Sequence, residues 1–386
     1  MNSDVNLPKK RGKDMPDNLL KDAFQYALEK LENSSNSLQG FPHTTKDGKW
    51  LQSDHGRWTA GFWVGALWLA HLFSGDKKWA ERAASWSRRL EFRKKDVTTH
   101  DMGFLFQPSF VRGWKITGDP YYRDVALTAC ASHAGRYNPA GKFIPAWDTS
   151  EDPSYDGLTI VDTVMNLPIL IWGAETAHRP EWRTVALSVA GTIIEHNLRA
   201  DGSTFHVVEF EPRTGEPRKY GTHQGYSDDS CWSRGQAWAL YGFTQMHGLT
   251  GSEQYLKAAR SLADYYIAHL PADFIPYWDF AAPGIPDEPR DSAAAAIAAS
   301  GLLDLAVWAD EADRSGEVYR NAAMKTLESL VARCLSRGRM QEEGILLHGV
   351  VDYPRRSAVD VSIIYGDHYF LEALLKVTKP EARPSI

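Results

Sequence analysis

Cysteine is scarce in this chain: three residues in 386, at Cys130, Cys231 and Cys334, far apart and without a CxxC pair. That pattern excludes a disulfide framework and a thiolate zinc site, and reads as buried thiols in a reducing compartment. Positive charge is not in excess either. A net charge of -6 leaves no basic face for a nucleic-acid backbone, so no nucleic-acid partner is expected. No apolar run approaches the roughly 18 residues of a membrane span, so no membrane association is expected. The first residues carry Lys9, Lys10, Arg11 and Lys13 without an apolar stretch, which is no secretory signal. This predicts a cytoplasmic protein, or a periplasmic one whose signal has been removed. His/Cys/Asp clusters of zinc spacing, Gly-rich phosphate loops, dinucleotide fingerprints and GxSxG elbows are all missing, so neither metal nor cofactor is expected.

Aromatic residues, in contrast, are abundant: 14 Trp, 16 Tyr and 15 Phe. They fill large cores, and their flat faces also stack on the apolar faces of sugars. A degenerate repeat organises the chain. Ser74-Gly75-Asp76-Lys77-Lys78-Trp79, Thr117-Gly118-Asp119-Pro120-Tyr121-Tyr122 and Thr250-Gly251-Ser252-Glu253-Gln254-Tyr255 share a hydroxyl residue, Gly, a capping residue and an aromatic three further on. Weaker copies stand at His178-Arg179-Pro180-Glu181-Trp182 and Ser315-Gly316-Glu317-Val318-Tyr319. Gly ends a helix with positive φ and Asp or Ser caps the next, so each copy predicts a tight helix-to-helix turn.

The helices on either side of these turns differ. Trp79, Ala83, Trp86 and Leu90 share one face opposite Lys, Arg and Glu, whereas residues 62–73 are apolar nearly all round. The spacing predicts roughly twelve helices, alternately amphipathic and fully buried. They fall near 17–33 and 60–73, 76–92 and 103–117, 119–135 and 160–177, 180–198 and 233–249, 252–269 and 290–311, 316–335 and 360–377. Two concentric layers follow, and the irregular repeat spacing favours a closed ring of about six hairpins over an open solenoid. The expected fold is all-α, an (α/α)6 barrel over 17–386 behind a flexible segment 1–16.

The links are lopsided. Inner-to-outer turns take a few residues, while outer-to-inner links are long: about 34–57, 93–102, 136–159, 199–232, 270–289 and 336–359. All long links then gather on one rim, where chemistry is expected. One holds a small β-hairpin, with alternation over 204–211 and a turn at 213–215.

Three rim motifs carry the candidates. His100-Asp101-Met102-Gly103-Phe104, the segment 158–168 around Asp162, and the segment 222–238 all stand at the same end of an inner helix. Asp101 reads either as a helix cap or as an acid. Asp162, set among Leu, Ile, Val and Met, is costly to desolvate, so its pKa should rise, as a general acid requires. A pair of acids at a toroid mouth fits sugar chemistry. Arg234 near a helix start needs a negative partner, either Asp228 or Asp229 or a substrate carboxylate. Trp58, Trp63, Trp232 and Trp238 are candidates for a stacking platform.

His100-Asp101-Met102-Gly103-Phe104-Leu105, Ile160-Val161-Asp162-Thr163-Val164-Met165-Asn166-Leu167-Pro168 and the segment 223–238 resemble the unsaturated glucuronyl hydrolases of glycoside hydrolase family 88, over about residues 18–376. The resemblance implies an (α/α)6 barrel acting on the product ends of polysaccharide lyases, whose terminal uronic acid carries a C4=C5 double bond. It implies hydration of that vinyl ether, with Asp162 as acid/base and Asp101 holding ring hydroxyls and stabilising positive charge. His206, Gln224, Arg234, Trp238 and Trp58 match substrate-contacting positions. The loop 350–360 departs from the family pattern. There Arg355 and Arg356 read either a sulfate or carboxylate on the neighbouring sugar, or form a solvated basic turn. The partner expected is an unsaturated oligosaccharide, and the protein a monomer or weak homo-oligomer. The related unsaturated rhamnogalacturonyl hydrolases, an ordinary inverting hydrolase and a non-catalytic sugar-binding toroid are the alternatives.

Overall fold

A computed structural model describes residues 14–382, so the expected flexible segment 1–16 lies largely outside the described residues, and α1 (Asp14–Ser37) begins at Asp14. Helices exposed along one face form an outer layer: α1, α3 (Lys77–Leu90), α6 (Pro120–Ala134), α8 (Pro180–His196), α10 (Glu253–Ala268) and α12 (Gly316–Ser329). Between them run helices buried nearly all round: α2 (Ala60–Ser74), α4 (Met102–Phe106), α7 (Pro168–Ala177), α9 (Ser233–Thr250), α11 (Ser292–Asp313) and α13 (Ile364–Thr378), with the short α5 (Arg112–Thr117), buried only at Gly113, continuing α4. Each inner helix packs on the next, and α13 packs on α2, so the ring closes. The (α/α)6 barrel is therefore as expected. α4 and α5 are joined by a π turn over Gln107–Val111, where Pro108 has no N–H to give the helical ladder.

The boundaries move where the rim begins. Residues Val161–Asn166 form a 3-10 turn rather than the first part of α7, which opens on Pro168 at a position where the missing N–H is no loss. Ahead of α13, residues Ser357–Val361 are a strand. The α11 window has a mean hydropathy of 1.6, enough by composition to cross a membrane, but 83% of it is buried inside the barrel.

The repeated turn has two functions. Gly75, Gly118 and Gly251 take φ of 73, 67 and 67°, and Asp76 and Asp119 accept from Lys78 and Tyr121 N–H at 2.9 Å. Ser252 makes no side-chain cap, and in the weaker copies His178 and Arg314 hold the left-handed position; Gly316 opens α12 rather than ending a helix. The aromatic three residues on (Trp79, Tyr122, Trp182, Tyr255, Tyr319) is buried in every copy and anchors the outer helix on the inner layer. At Gly113 a Cβ would stand 2.8 Å from the Tyr122 ring, so that contact requires glycine.

Three small antiparallel sheets occupy the long links, where one hairpin was expected: β1 (Phe41–Lys46) with β2 (Lys49–Ser53), β3 (Leu158–Ile160) with β4 (Val207–Phe210) and β5 (Pro217–Gly221), and β6 (Gly349–Asp352) with β7 (Ser357–Val361). The expected hairpin is β4–β5. The others are short strands whose alternation is too brief to read, although Asp47 and Gly48, both at positive φ, make the tight turn of β1–β2.

The barrel axis below the rim is ionic. Arg112 reaches Glu372 at 2.6 Å, Lys376 reaches Asp304 at 2.7 Å, and Tyr241 and Ser300 donate to Glu372. Burial alone would raise the Glu372 pKa, but Lys376 and Arg112 hold it well below the usual carboxylate range. Breaking a buried pair leaves a charge without its partner, so Arg112→Leu should cost about 3–5 kcal/mol in urea unfolding. An unchanged midpoint would show that this network contributes nothing.

Candidate active site

Asp162 sits in the 3-10 turn that links β3 to α7, and the sheet decides what faces it. Ile160 pairs with Val207, and Val161 N–H donates to the His206 carbonyl at 2.9 Å. His206 is thereby set beside Asp162, with Nε2 at 3.6 Å from Oδ2. Both residues are buried, at 7% and 3% exposure. The imidazole is neutral: burial, then His223, Arg234 and His100, hold its pKa well below the ordinary value. The contact is thus an N–H facing a carboxyl group rather than an ion pair. Burial is also the main reason the Asp162 pKa is pushed up to about 6; Asp101 adds to the rise, and His100 and Arg234 oppose it.

Asp101 stands at the N-cap position of α4 but makes no capping bond. Its Oδ2 accepts from the Thr99 hydroxyl at 2.6 Å, and its Oδ1 lies 3.2 Å from His100 Nε2. The cap reading therefore fails, because Thr99 and His100 claim the carboxylate. The backbone N–H of Phe104 is satisfied instead by Asn166 Oδ1 at 2.8 Å. His100 Nδ1 meets the Thr163 hydroxyl at 2.8 Å, so the two acid-bearing turns are joined through one ring. The turns approach so closely that a Cβ at Gly103 would meet Asn166 Cα at 2.4 Å.

Arg234 is fully buried on the first turn of α9. Its negative partner is neither Asp228 nor Asp229 but Asp291, at 2.7 Å, and it also donates to the carbonyls of Val350 and Val351. Asp228 lies out on the rim against Lys219. Gln224 Nε2 donates to the same Val351 carbonyl at 2.7 Å. Of the expected aromatic platform, Trp58 lies half-buried with its ring stacked on Tyr365 (5.1 Å, 28°), and Trp232 packs on His206 at 4.4 Å. Trp238 is buried against Phe104, Tyr365 and Tyr369. Trp63 is not part of the site: it packs edge-on to Trp86 of the outer helix α3. In a helix apolar all round, sequence does not tell which face looks inward. Arg355 is held by Asp352 and His223, and Arg356 lies exposed over the Tyr353 ring at 4.0 Å.

His100, Asp291, Tyr365 and Trp147 also belong to this mouth and were not singled out as site residues. Asp291 and Tyr365 stand at the same ends of α11 and α13 as Asp101 and Arg234 do on their helices, so the position alone would have found them. Trp147, on the 136–159 link, lies 5.1 Å from His223. Asp162 Oδ2, His206 Nε2, Trp238 Nε1 and the Tyr365 hydroxyl are buried polar atoms without a hydrogen-bond partner among the described residues. Such atoms each cost about 1–3 kcal/mol, and a cluster of them marks a place prepared for a ligand. Chemically, a carboxyl group still half-protonated near pH 6 can give a proton and then, as the anion, take one from water.

The Glycosyl Hydrolase Family 88 profile matches residues 32–375. The chain is 36% identical over 345 residues to the unsaturated glucuronyl hydrolase of Bacillus sp. strain GL1, covering 88% of this chain and 91% of that protein. It is 33% identical over 364 residues to the unsaturated chondroitin disaccharide hydrolase of Streptococcus pyogenes serotype M1, covering 92% and 90%. The crystal structure of the Bacillus enzyme, described as responsible for the degradation of glycosaminoglycan, superposes with a TM-score of 0.91 at 34% identity, over 95% of this chain and 98% of that one.

Burying Asp162 also costs stability. Its folded pKa of about 6 exceeds the unfolded value near 4, so the folded state holds the proton more tightly. The stability this lends is complete below about pH 4 and is lost as pH rises through about 6. Asp162→Asn should therefore be more stable than the parent above pH 6, by up to about 3 kcal/mol, and gain little at pH 4. Equal melting temperatures at pH 8 would contradict the raised pKa.

Proposed function

The chain belongs to glycoside hydrolase family 88, and on that premise we propose that Asp162 drives removal of a terminal 4,5-unsaturated uronic acid from lyase-generated oligosaccharides of the glycosaminoglycan type. The reading rests above all on the setting of Asp162: buried, raised to about 6 and facing a neutral His206. A vinyl ether is a weak base, so the donor must keep its proton near neutral pH. Asp162 gives that proton to C4, and the positive charge at C5 is shared with the ring oxygen. Water adds to C5 and returns a proton to the Asp162 carboxylate, which regenerates the acid. The hemiketal then opens and releases the remaining saccharide.

The other groups hold the sugar. Asp101, oriented by Thr99 and His100, accepts ring hydroxyls and stabilises the developing positive charge. Gln224 and Arg234 present further donors, both aligned by the Val351 carbonyl. Trp58 and Tyr365 offer a stacked surface, and the unpartnered Trp238 Nε1 and Tyr365 hydroxyl are donors awaiting a substrate oxygen. The substrate class follows the relatives, one of which bears the name of a chondroitin disaccharide hydrolase. Arg356, exposed beside Tyr353, is the arginine of the pair left to meet an anionic group on the neighbouring sugar.

Four outcomes test this reading. Asp162→Asn should abolish loss of the conjugated-alkene absorbance while leaving substrate binding by calorimetry within a few-fold; retained turnover would sink the assignment. In the parent, kcat should fall as pH rises through about 6, following the Asp162 proton. Across lyase-generated disaccharides, unsaturated chondroitin should be turned over in preference to unsaturated rhamnogalacturonan, and Arg356→Ala should raise KM on sulfated substrates more than on unsulfated ones.

A further inference from the structure

The β6–β7 hairpin does more than line the mouth: its tip is fastened across it. Arg355 Nη1 donates to the His223 carbonyl at 2.8 Å, and its Nη2 lies 3.3 Å from His223 Nδ1. The same guanidinium is braced by Asp352 Oδ2 at 2.7 Å, and Asp352 Oδ1 accepts the Arg355 backbone N–H at 3.1 Å. Asp352 is 8% exposed, so the brace is anchored in the hairpin rather than in solvent. Arg355 thus grips the backbone of the 222–232 segment at His223.

That backbone determines the chemistry of His206. The N–H groups of His223 and Gln224 both point at His206 Nδ1, at 3.2 and 3.4 Å. A backbone N–H can only donate, so Nδ1 must be the unprotonated nitrogen of the neutral ring. The ring proton is then on Nε2, the nitrogen that faces Asp162 Oδ2 at 3.6 Å. Resting on the reading of Asp162 as proton donor, we propose that Arg355 is a positioning residue: braced by Asp352, it holds the His223–Gln224 backbone against His206 and so fixes the imidazole tautomer presented to the acid.

Arg355 therefore acts through His223 and does not touch substrate. A fixed Nε2–H offers the carboxyl group a donor in one direction only. If the ring lost its Nδ1 donors, it could turn over or shift its proton, and a lone pair would face the acid instead. The charged and titratable groups that also face this pair are His100, Asp101, Arg234 and His223. All of them remain in an Arg355 variant, but Arg355→Ala also removes a charge that acts on His223, so Asp352→Asn, which keeps that charge, is needed to separate the lost latch from the lost charge. Asp352→Asn removes the brace while leaving Arg355 in place, and serves as an independent variant should Arg355→Ala disturb the hairpin.

The test uses the full-length protein with 15N-labelled histidine. Long-range 1H–15N correlation, with His206 assigned by its loss in His206→Gln, should show Nδ1 unprotonated and Nε2 protonated in the parent. In Arg355→Ala and in Asp352→Asn the two nitrogens should shift toward averaged values, and kcat should fall roughly tenfold with KM within about twofold. Arg355→Lys, which keeps the charge but loses the fork, should recover only part of kcat. An unchanged tautomer in both variants would overturn the proposal, as would a raised KM with kcat intact, which would mean that Arg355 contacts substrate directly. Failure of the parent to turn over any unsaturated disaccharide would instead sink the functional reading, and the tautomer measurement would stand apart from it.

Discussion

Arg234 is a cation buried at the centre of the rim, and its guanidinium is tolerated there because Asp291 and the carbonyls of Val350 and Val351 enclose it. A charge so placed would be costly alone, and removing one partner would leave the other exposed to the same cost. The pair is also a joint. Arg234 stands on α9; Asp291 caps α11 by accepting from Ala293 and Ala294 N–H; the two carbonyls belong to β6. Three rim segments that share no local sequence are locked to one another through a single guanidinium. Its ring neighbours Trp232 and Tyr365, at 4.5 and 5.4 Å, carry the constraint into the walls of the mouth.

The remaining geometry hangs from that joint. Gln224 is aligned by the same Val351 carbonyl, and the hairpin that supplies it also carries Asp352 and Arg355. On the other side, β3 and β4 bring His206 to Asp162, and His100 ties Asp162's turn to Asp101's. Asp162, Gln224 and Arg234 thus meet neighbours from other links, whereas Asp101 is held by Thr99 and His100 of its own link, whose ring meets Thr163. This suits a reaction in which proton delivery depends on direction as much as on acidity. The cost is visible in the fold itself, since Asp162 is buried without a partner for Oδ2 and several nearby donors stand unpaired. Sites held ready for a ligand commonly sacrifice stability in this way.

Much of this was legible beforehand because it is local. The turns at Gly75, Gly118 and Gly251 depend on residues within one helical turn, and the inner or outer place of each helix follows from its own apolar pattern. Asp162 could be chosen for the same reason: its apolar neighbours are its sequence neighbours. The errors fall where the deciding contact is distant. Arg234's partner is 57 residues away in Asp291, not among the nearby acids. Asp101 passes for a cap because the neighbours that hold its carboxylate, Thr99 and His100, show that grip only in the fold, where the His100 ring meets Thr163, 63 residues away. Trp63 and Trp238 both lie on helices buried nearly all round, and nothing local tells that one faces the outer layer and the other the barrel axis.

Taken alone, the amino-acid order determined the alternation of helices, the side on which the long links gather and the acid that burial would make hard to ionise, because periodicity, capping and desolvation act over a few residues. Tertiary structure alone decided which nitrogen of His206 meets Asp162, what neutralises Arg234 and what Arg355 grips. Those outcomes depend on strand register and on contacts between links separated by tens to more than a hundred residues, and such register is settled only when the ring closes and its rim segments pack against one another.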